Sequence, residues 1–260
     1  KLPTTYLCGV NCPANPGAWE LHGVFHKKLR KQRKRREDGG AVQQRTRETA
    51  ERAARRATQS GDEYDELLAE GARYASKEDW RKAARACREA IALRPDRPEA
   101  YMNLGAVLGN SGHIAEGARR SLEAKERWPV GSKGWAEATA SAFDKLRREE
   151  CAEVAKPEWW NEEGLKALSA RVVRAAPNDV PAIKMRAAVL CGVSWVAWEA
   201  GPRSAAELKE AATHFERAAE LSNAPAEKVE LTEWADWCHS QAHVKQCPRE
   251  AYMNAYLWAT

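Results

Sequence analysis

The sequence predicts an all-α fold, a helical-repeat solenoid with a basic, partly irregular N-terminal extension. Three observations carry that prediction. Gly71, Ala83, Ala90 and Pro95 recur 34 residues later as Gly105, Gly117, Ala124 and Pro129, and Tyr101 and Trp135 share the same spacing. Between these markers the apolar residues follow the 3.6-residue helical period, and no stretch alternates with period two for long enough to suggest a sheet. Finally, charge is unevenly placed: residues 21–60 carry thirteen Lys or Arg against four Asp or Glu, a net of +9 in a chain whose total is +5.

From the N-terminus, residues 1–20 hold Cys8, Cys12, three Pro and two Gly and read as an irregular loop. His22–Arg36 has helical composition, Asp38-Gly39-Gly40 breaks the chain, and Val42–Ala57 is a charged Ala- and Arg-rich helix with little apolar face. The repeats begin near residue 61. Tyr64, Leu67, Leu68, Gly71 and Tyr74 form one helical stripe, and Trp80, Ala83, Ala84, Cys87, Ala90 and Ile91 form the next. Small residues at the crossings let two helices approach closely, and each Pro marks the break before the next unit. Beyond residue 131 the period lengthens, with Pro129, Pro177 and Pro225 spaced by 48 residues. Helices are expected at Trp135–Arg148, Glu162–Ala176, Ala182–Ala200, Ala205–Leu221 and Ala226–Ala242, with loops around Ala155–Trp160 and Gly201–Ser204. The expected organisation is an extension (1–60), two regular units (61–131), enlarged degenerate repeats with a capping helix (132–243) and a tail (244–260).

This pattern resembles the tetratricopeptide repeat family over residues 62–136. The resemblance implies paired antiparallel helices, a right-handed superhelix and a groove for an extended peptide or a partner's helix. Some family members clamp a chaperone's C-terminal carboxylate with Lys, Asn and Arg. The matching positions here hold Leu68, Ala72, Asn103, Lys133 and Glu137. Asn103 and Lys133 fit, but the other three do not, so a chaperone-tail receptor is not expected. Leu68 and Met102, with small neighbours, suit an apolar or helical ligand. Leu68, Met102, Asn103 and Lys133 are thus the candidate groove residues.

Two Cys/His sets are candidate metal ligands. Cys8-x3-Cys12-x9-His22-x3-His26 places two thiols on a loop and two imidazoles one helical turn apart, a set that suits tetrahedral zinc. Its middle segment is shorter than that of a standard finger, and the opposing reading is two free thiols and two exposed His. Cys238, His239, His243 and Cys247 form a second set, with solvated His at a helix end as the plainer reading. The seven Cys are odd in number and sparse, which favours a reducing compartment.

The run Lys27, Lys28, Arg30, Lys31, Arg33, Lys34, Arg35, Arg36 puts eight cations in ten residues, and Arg45, Arg47, Arg52, Arg55 and Arg56 follow. Such density suits phosphates, and binding through it would be salt-dependent and indifferent to sequence. The same run reads as a nuclear-import patch. No aromatic is interleaved in it, so base stacking is not suggested.

Of the eleven Trp, the helical pairs Trp195/Trp198 and Trp234/Trp237 read as fillers of enlarged repeats. Trp159-Trp160, in a loop after Pro157, is the candidate exposed aromatic contact. The aromatic tail from Ala251 to Thr260 has no repeat partner and would fold back on the stack or insert into another protein. No phosphate-cradling loop, dinucleotide motif or nucleophile elbow occurs. Cys151 lies between Arg147-Arg148, which favour its thiolate, and Glu149-Glu150, which oppose it. The apolar stretch Ala182–Trp198 is interrupted by Lys184 and Arg186, which excludes it as a membrane span. The expected function is a non-catalytic intracellular adaptor or scaffold that binds protein through its groove. The alternative is a nucleic-acid- or ribonucleoprotein-associated protein anchored through residues 27–56. A hydrolase or transferase using the C-terminal Cys/His set ranks third.

Overall fold

A computed structural model describes residues 44, 47, 48, 51, 61–192 and 201–246. From residue 61 on, the described residues contain nine α-helices and no strand. They are α1 (Glu63–Ala75), α2 (Trp80–Leu93), α3 (Pro98–Asn110), α4 (Ile114–Arg127), α5 (Lys133–Leu146), α6 (Glu162–Ala175), α7 (Val180–Cys191), α8 (Ala205–Leu221) and α9 (Pro225–Gln246), with a short 3-10 turn at Glu149–Cys151. The chain divides into two compact units. One spans Gly40–Gly201, and the other includes residues 202–246. This boundary falls inside the stretch expected as one block of enlarged repeats, 132–243.

Local chemistry starts most of these helices. Asp62, Asp79, Ser132, Asn161, Asp179 and Ser204 each accept a hydrogen bond from a first-turn amide, which satisfies a donor the helix itself cannot. Ser204 and Glu207 form a reciprocal capping box. Pro98 opens α3 at a position where its missing N–H costs nothing. The helix expected over Ala182–Ala200 ends at Cys191, because Gly192 takes a left-handed conformation (φ 70°) that stops the turn.

In the Gly40–Gly201 unit, consecutive helices pack as neighbours, and the first helix of each pair also touches the first helix of the next. Thus α1 meets α3, α3 meets α5 and α5 meets α7. This is a helical-repeat solenoid. The repeat register survives its lengthening: Ala83, Gly117 and Leu165 are equivalent, as are Cys87, Ser121 and Ser169, and Ala90, Ala124 and Val172, at spacings of 34 and then 48. All nine are buried. At the second crossing α3 and α4 run nearly backbone to backbone. A Cβ on Gly117 would lie 2.9 Å from the Gly105 carbonyl oxygen and 3.0 Å from the Gly109 nitrogen. In the third pair the added length lies between Leu146 and Glu162. There residues 147–161 fold back as a strap that buries Cys151 and Val154 against Ile114, Ala118 and Leu146.

In the other unit α8 packs on α9. Phe215 stacks on Trp234 with ring centroids 6.0 Å apart, and Trp237 meets Trp234 edge-on at 5.8 Å. Large rings fill this helix pair, as the sequence suggested.

Candidate functional site

The first helices carry the candidate surface. On α1, α3 and α5 the positions left at least partly open to solvent include one stripe each: Asp65, Leu68 and Ala72; then Glu99, Met102, Asn103 and Ala106; then Lys133, Glu137, Ser141 and Asp144. Because α1 packs on α3 and α3 on α5, these stripes lie side by side. Leu68 is half-buried against Tyr64, Ala90 and Ala100, and Met102 against Tyr101, Ala124 and Ala138. Both therefore contribute to the core as well as to the face. Asn103 is half-buried, and Ala106 is exposed beside it. Lys133 is exposed and pairs with Glu137 one turn on, at 3.4 Å.

Sequence reasoning missed the polar chain beneath this face. Lys145 is buried, and its Nζ donates to Ser141 Oγ at 2.6 Å. Ser141 Oγ lies 3.2 Å from Ser121 Oγ, whose proton goes to the Gly117 carbonyl (3.0 Å), so the proton between the two hydroxyls comes from Ser141. The lysine stem crosses Gly109, where a Cβ would come within 2.9 Å of Lys145 Cε. This places the amine over the last turn of α3, the negative end of that helix. Burial pushes the Lys145 amine down, with Asp144 working the other way. A Lys on an otherwise apolar stripe, four residues after Ser141, was the available signal.

Next to it, Asp144 pairs with Arg147 and Arg148, both at 3.0 Å. Burial works to raise its carboxyl, but the two guanidiniums outweigh this and hold it well below the usual range.

The structure places Trp159 and Trp160 half-buried in the strap. Trp160 packs on Phe143 (5.6 Å) and on Trp159 (5.7 Å), and both rings bridge two core clusters. Trp159 lies against Gly164, where a Cβ would come within 2.6 Å of its carbonyl oxygen. Lys125 stands over Trp159 at 5.7 Å and Lys156 over Trp160 at 5.5 Å. Lys156 also donates to the Leu146 carbonyl at 3.0 Å and to that of Cys151. Much of the pair's surface is therefore spent on holding the strap. Burial raises the Cys151 thiol above its ordinary value, which opposes thiolate formation there.

In the C-terminal set, Cys238 is buried while His239 and His243 are exposed. His239 Nε2 lies 2.9 Å from Glu216. Cys247 lies outside the described residues. Among the described residues no three His, Cys, Asp or Glu side chains converge as a metal site. Cys8, Cys12, His22 and His26, and the cations Lys27, Lys28, Arg30, Lys31, Arg33, Lys34, Arg35 and Arg36, also lie outside them. Of the later arginines Arg47 is described, exposed and helical. Among the described residues no helix is long and apolar enough to cross a membrane. No protein-family model matches the sequence, and no curated protein is similar to it.

Proposed function

We propose that this chain is a non-catalytic adaptor of the tetratricopeptide kind, which holds a protein partner on its first-helix face. The observation that carries this reading is the side-by-side packing of α1, α3 and α5. It lines up stripes of small, amide and apolar residues (Leu68, Ala72, Met102, Asn103, Ala106) across successive repeats. An extended peptide or a helix matches such a surface, because side chains at helical or extended spacing can be read by successive repeats. Mutation of exposed Ala106 tests the surface with little risk to folding. In cross-linking and pull-down with the full chain, Ala106→Arg and Met102→Glu should abolish partner capture, while neutralising the cations at 27–36 should leave it intact. Capture that ignores both face variants would overturn the reading.

The second reading makes the N-terminal arm primary, and the +9 balance of residues 21–60 favours it. Here the arm contacts a nucleic acid or ribonucleoprotein, and the Cys8, Cys12, His22, His26 set takes zinc beside it. Its test is salt-sensitive binding of RNA or duplex DNA that disappears when residues 1–60 are removed.

A further inference from the structure

Surface charge in the first repeat is segregated by helix. On α1, Glu63, Asp65, Glu66 and Glu70 are set against Arg73 alone, whereas α2 carries Arg81, Lys82, Arg85 and Arg88 against Glu89. All four α2 cations are exposed, and Arg81, Arg85 and Arg88 fall at i, i+4 and i+7, on one side of the helix. Cations are not a general feature of that helix side. The residues equivalent to these three arginines in the next two repeats, at spacings of 34 and 48, are Ala115, Arg119, Leu122 and then Glu163, Ala167, Ala170. The cationic face thus belongs to the first repeat alone, the one nearest in sequence to the +9 extension.

Internal pairing does not neutralise this face in any durable way. Lys82 meets Asp79 at 2.9 Å, Arg85 meets Glu89 at 2.8 Å and Arg88 meets Glu116 at 3.4 Å. Each of these pairs is solvent-exposed, the Arg85 side chain at 81%. Exposed pairs contribute only about 0–1 kcal/mol each, so a phosphate can replace the carboxylate at small cost. From Arg81 to Arg88 the helix rises about 10 Å. Over that length a duplex presents roughly six phosphate charges.

We propose that Arg81, Lys82, Arg85 and Arg88 on α2 form a contact for the phosphate backbone of a nucleic acid, extending onto the folded repeats the polyanion reading of the arm. Phosphate contacts of this kind hold and orient the ligand without selecting its sequence.

The test measures binding of a labelled 20-base-pair duplex by the full chain across a salt series. Three variants are compared: Arg81, Arg85 and Arg88→Gln; a charge-matched control in the third repeat pair with Lys133, Arg171 and Arg174→Gln; and the eight cations of 27–36→Gln. Circular dichroism and the unfolding midpoint verify that each is folded. The α2 variant should flatten the slope of log K against log salt by about 3, because each phosphate left without its cation takes about 0.9 from the slope. The control should leave that slope nearly unchanged. A parent slope kept by the α2 variant overturns the α2 contact while the arm reading stands. An equal loss in the control also overturns it, since net charge alone would then explain the effect. If the 27–36 variant retains binding that the α2 changes remove, the α2 contact holds and the arm reading fails. No duplex binding by the parent at low salt overturns both, and α2-dependent binding of polyglutamate but not duplex reassigns the face to an acidic protein.

Discussion

The Arg127 guanidinium lies 3.9 Å from the centre of the Tyr101 ring, and both side chains donate to the Pro95 carbonyl, Arg127 Nε at 2.9 Å and the Tyr101 hydroxyl at 3.0 Å. The arrangement ties the last turn of α4 to α3 and to the loop before it. Its theme recurs: Arg94 and Arg97 each stand 5.4 Å from the Tyr64 ring, and Arg171 stands 5.3 Å from Trp135. In each repeat pair an aromatic near the start of the first helix is covered by a cation reaching back from the second helix or the loop after it. The three repeat pairs thus share a contact as well as a pattern of small residues, although Tyr64 lies one helical turn ahead of the position 34 residues before Tyr101.

Arg127→Met keeps most of the stem but removes the charge and the donor, and should cost about 1–2 kcal/mol. Tyr101→Phe keeps the ring under the cation and loses one of two donors to Pro95, so it should cost less, about 0.5–1 kcal/mol. In a double-mutant cycle followed by urea unfolding the two changes should couple, because they share an acceptor. Strict additivity would show that the contact contributes nothing as a unit.

The glycines of the second crossing separate two kinds of crowding. At Gly117 an added methyl meets backbone atoms of Gly105 and Gly109, which can yield only if α3 and α4 move apart. At Gly109 it meets Lys145 Cε, part of a flexible side chain. Alanine gains up to about 1 kcal/mol of helix propensity over glycine at either site. Gly117→Ala should nevertheless destabilise by about 1–3 kcal/mol, whereas Gly109→Ala should fall within about 1 kcal/mol of the parent. Equal unfolding midpoints for the two variants would contradict the close approach at Gly117.

These sites also mark what is legible from sequence. The 34-residue recurrence of Gly71, Ala83 and Ala90 locates the crossings, because only small residues permit that approach. The start of Ala205–Leu221 can be read to the residue, since Ser204 and Glu207 spell out a capping box. The apolar pattern runs straight through Gly192, although a glycine near a helix end is a stop signal when it turns left-handed. Trp159 and Trp160 look exposed in sequence because they follow a proline in a loop. Whether a loop lies in solvent or folds back as a strap depends on distant partners such as Phe143 and Gly164, which local pattern does not reveal. The Lys145 chain is hidden for the same reason: its members come from α3, α4 and α5.

The strap makes its own prediction. Gly164→Ala would force the Trp159 backbone away from the start of α6. It should destabilise by about 1–3 kcal/mol and shift tryptophan emission to the red as Trp159 and Trp160 gain water. Lys156→Met leaves the Leu146 and Cys151 carbonyls without their shared donor and should cost about 1–2 kcal/mol. Emission from both variants identical to the parent would mean that the two rings do not depend on the strap's docking.

Alkaline pH should act on the fold through groups of opposite sign: Cys87, Cys151 and Tyr64, which burial raises, and Lys125, Lys145 and Lys156, which burial lowers. Burial, reinforced by the nearby Glu99 carboxylate, pushes the Tyr64 phenol up to about 12. The unfolded phenol ionises near 10, so between 10 and 12 the folded state binds more protons, and stability falls as pH rises through that window. Lys145 works in reverse. Burial holds its amine below the ordinary 10.5. Between its folded value and 10.5 the unfolded state binds more protons, so stability rises with pH across that window. Urea unfolding measured from pH 7 to 11.5 should therefore show a smaller loss above pH 10 in a Tyr64→Phe variant, with the part due to the Cys87 thiol remaining. A Lys145→Met variant should show a smaller gain below 10.5, because it no longer has an amine to deprotonate inside the α3–α5 seam, while Lys125 and Lys156 still contribute theirs. A Lys145→Met profile parallel to the parent's over that range would place the amine in water, and the chain through Ser141 and Ser121 would lose its buried end.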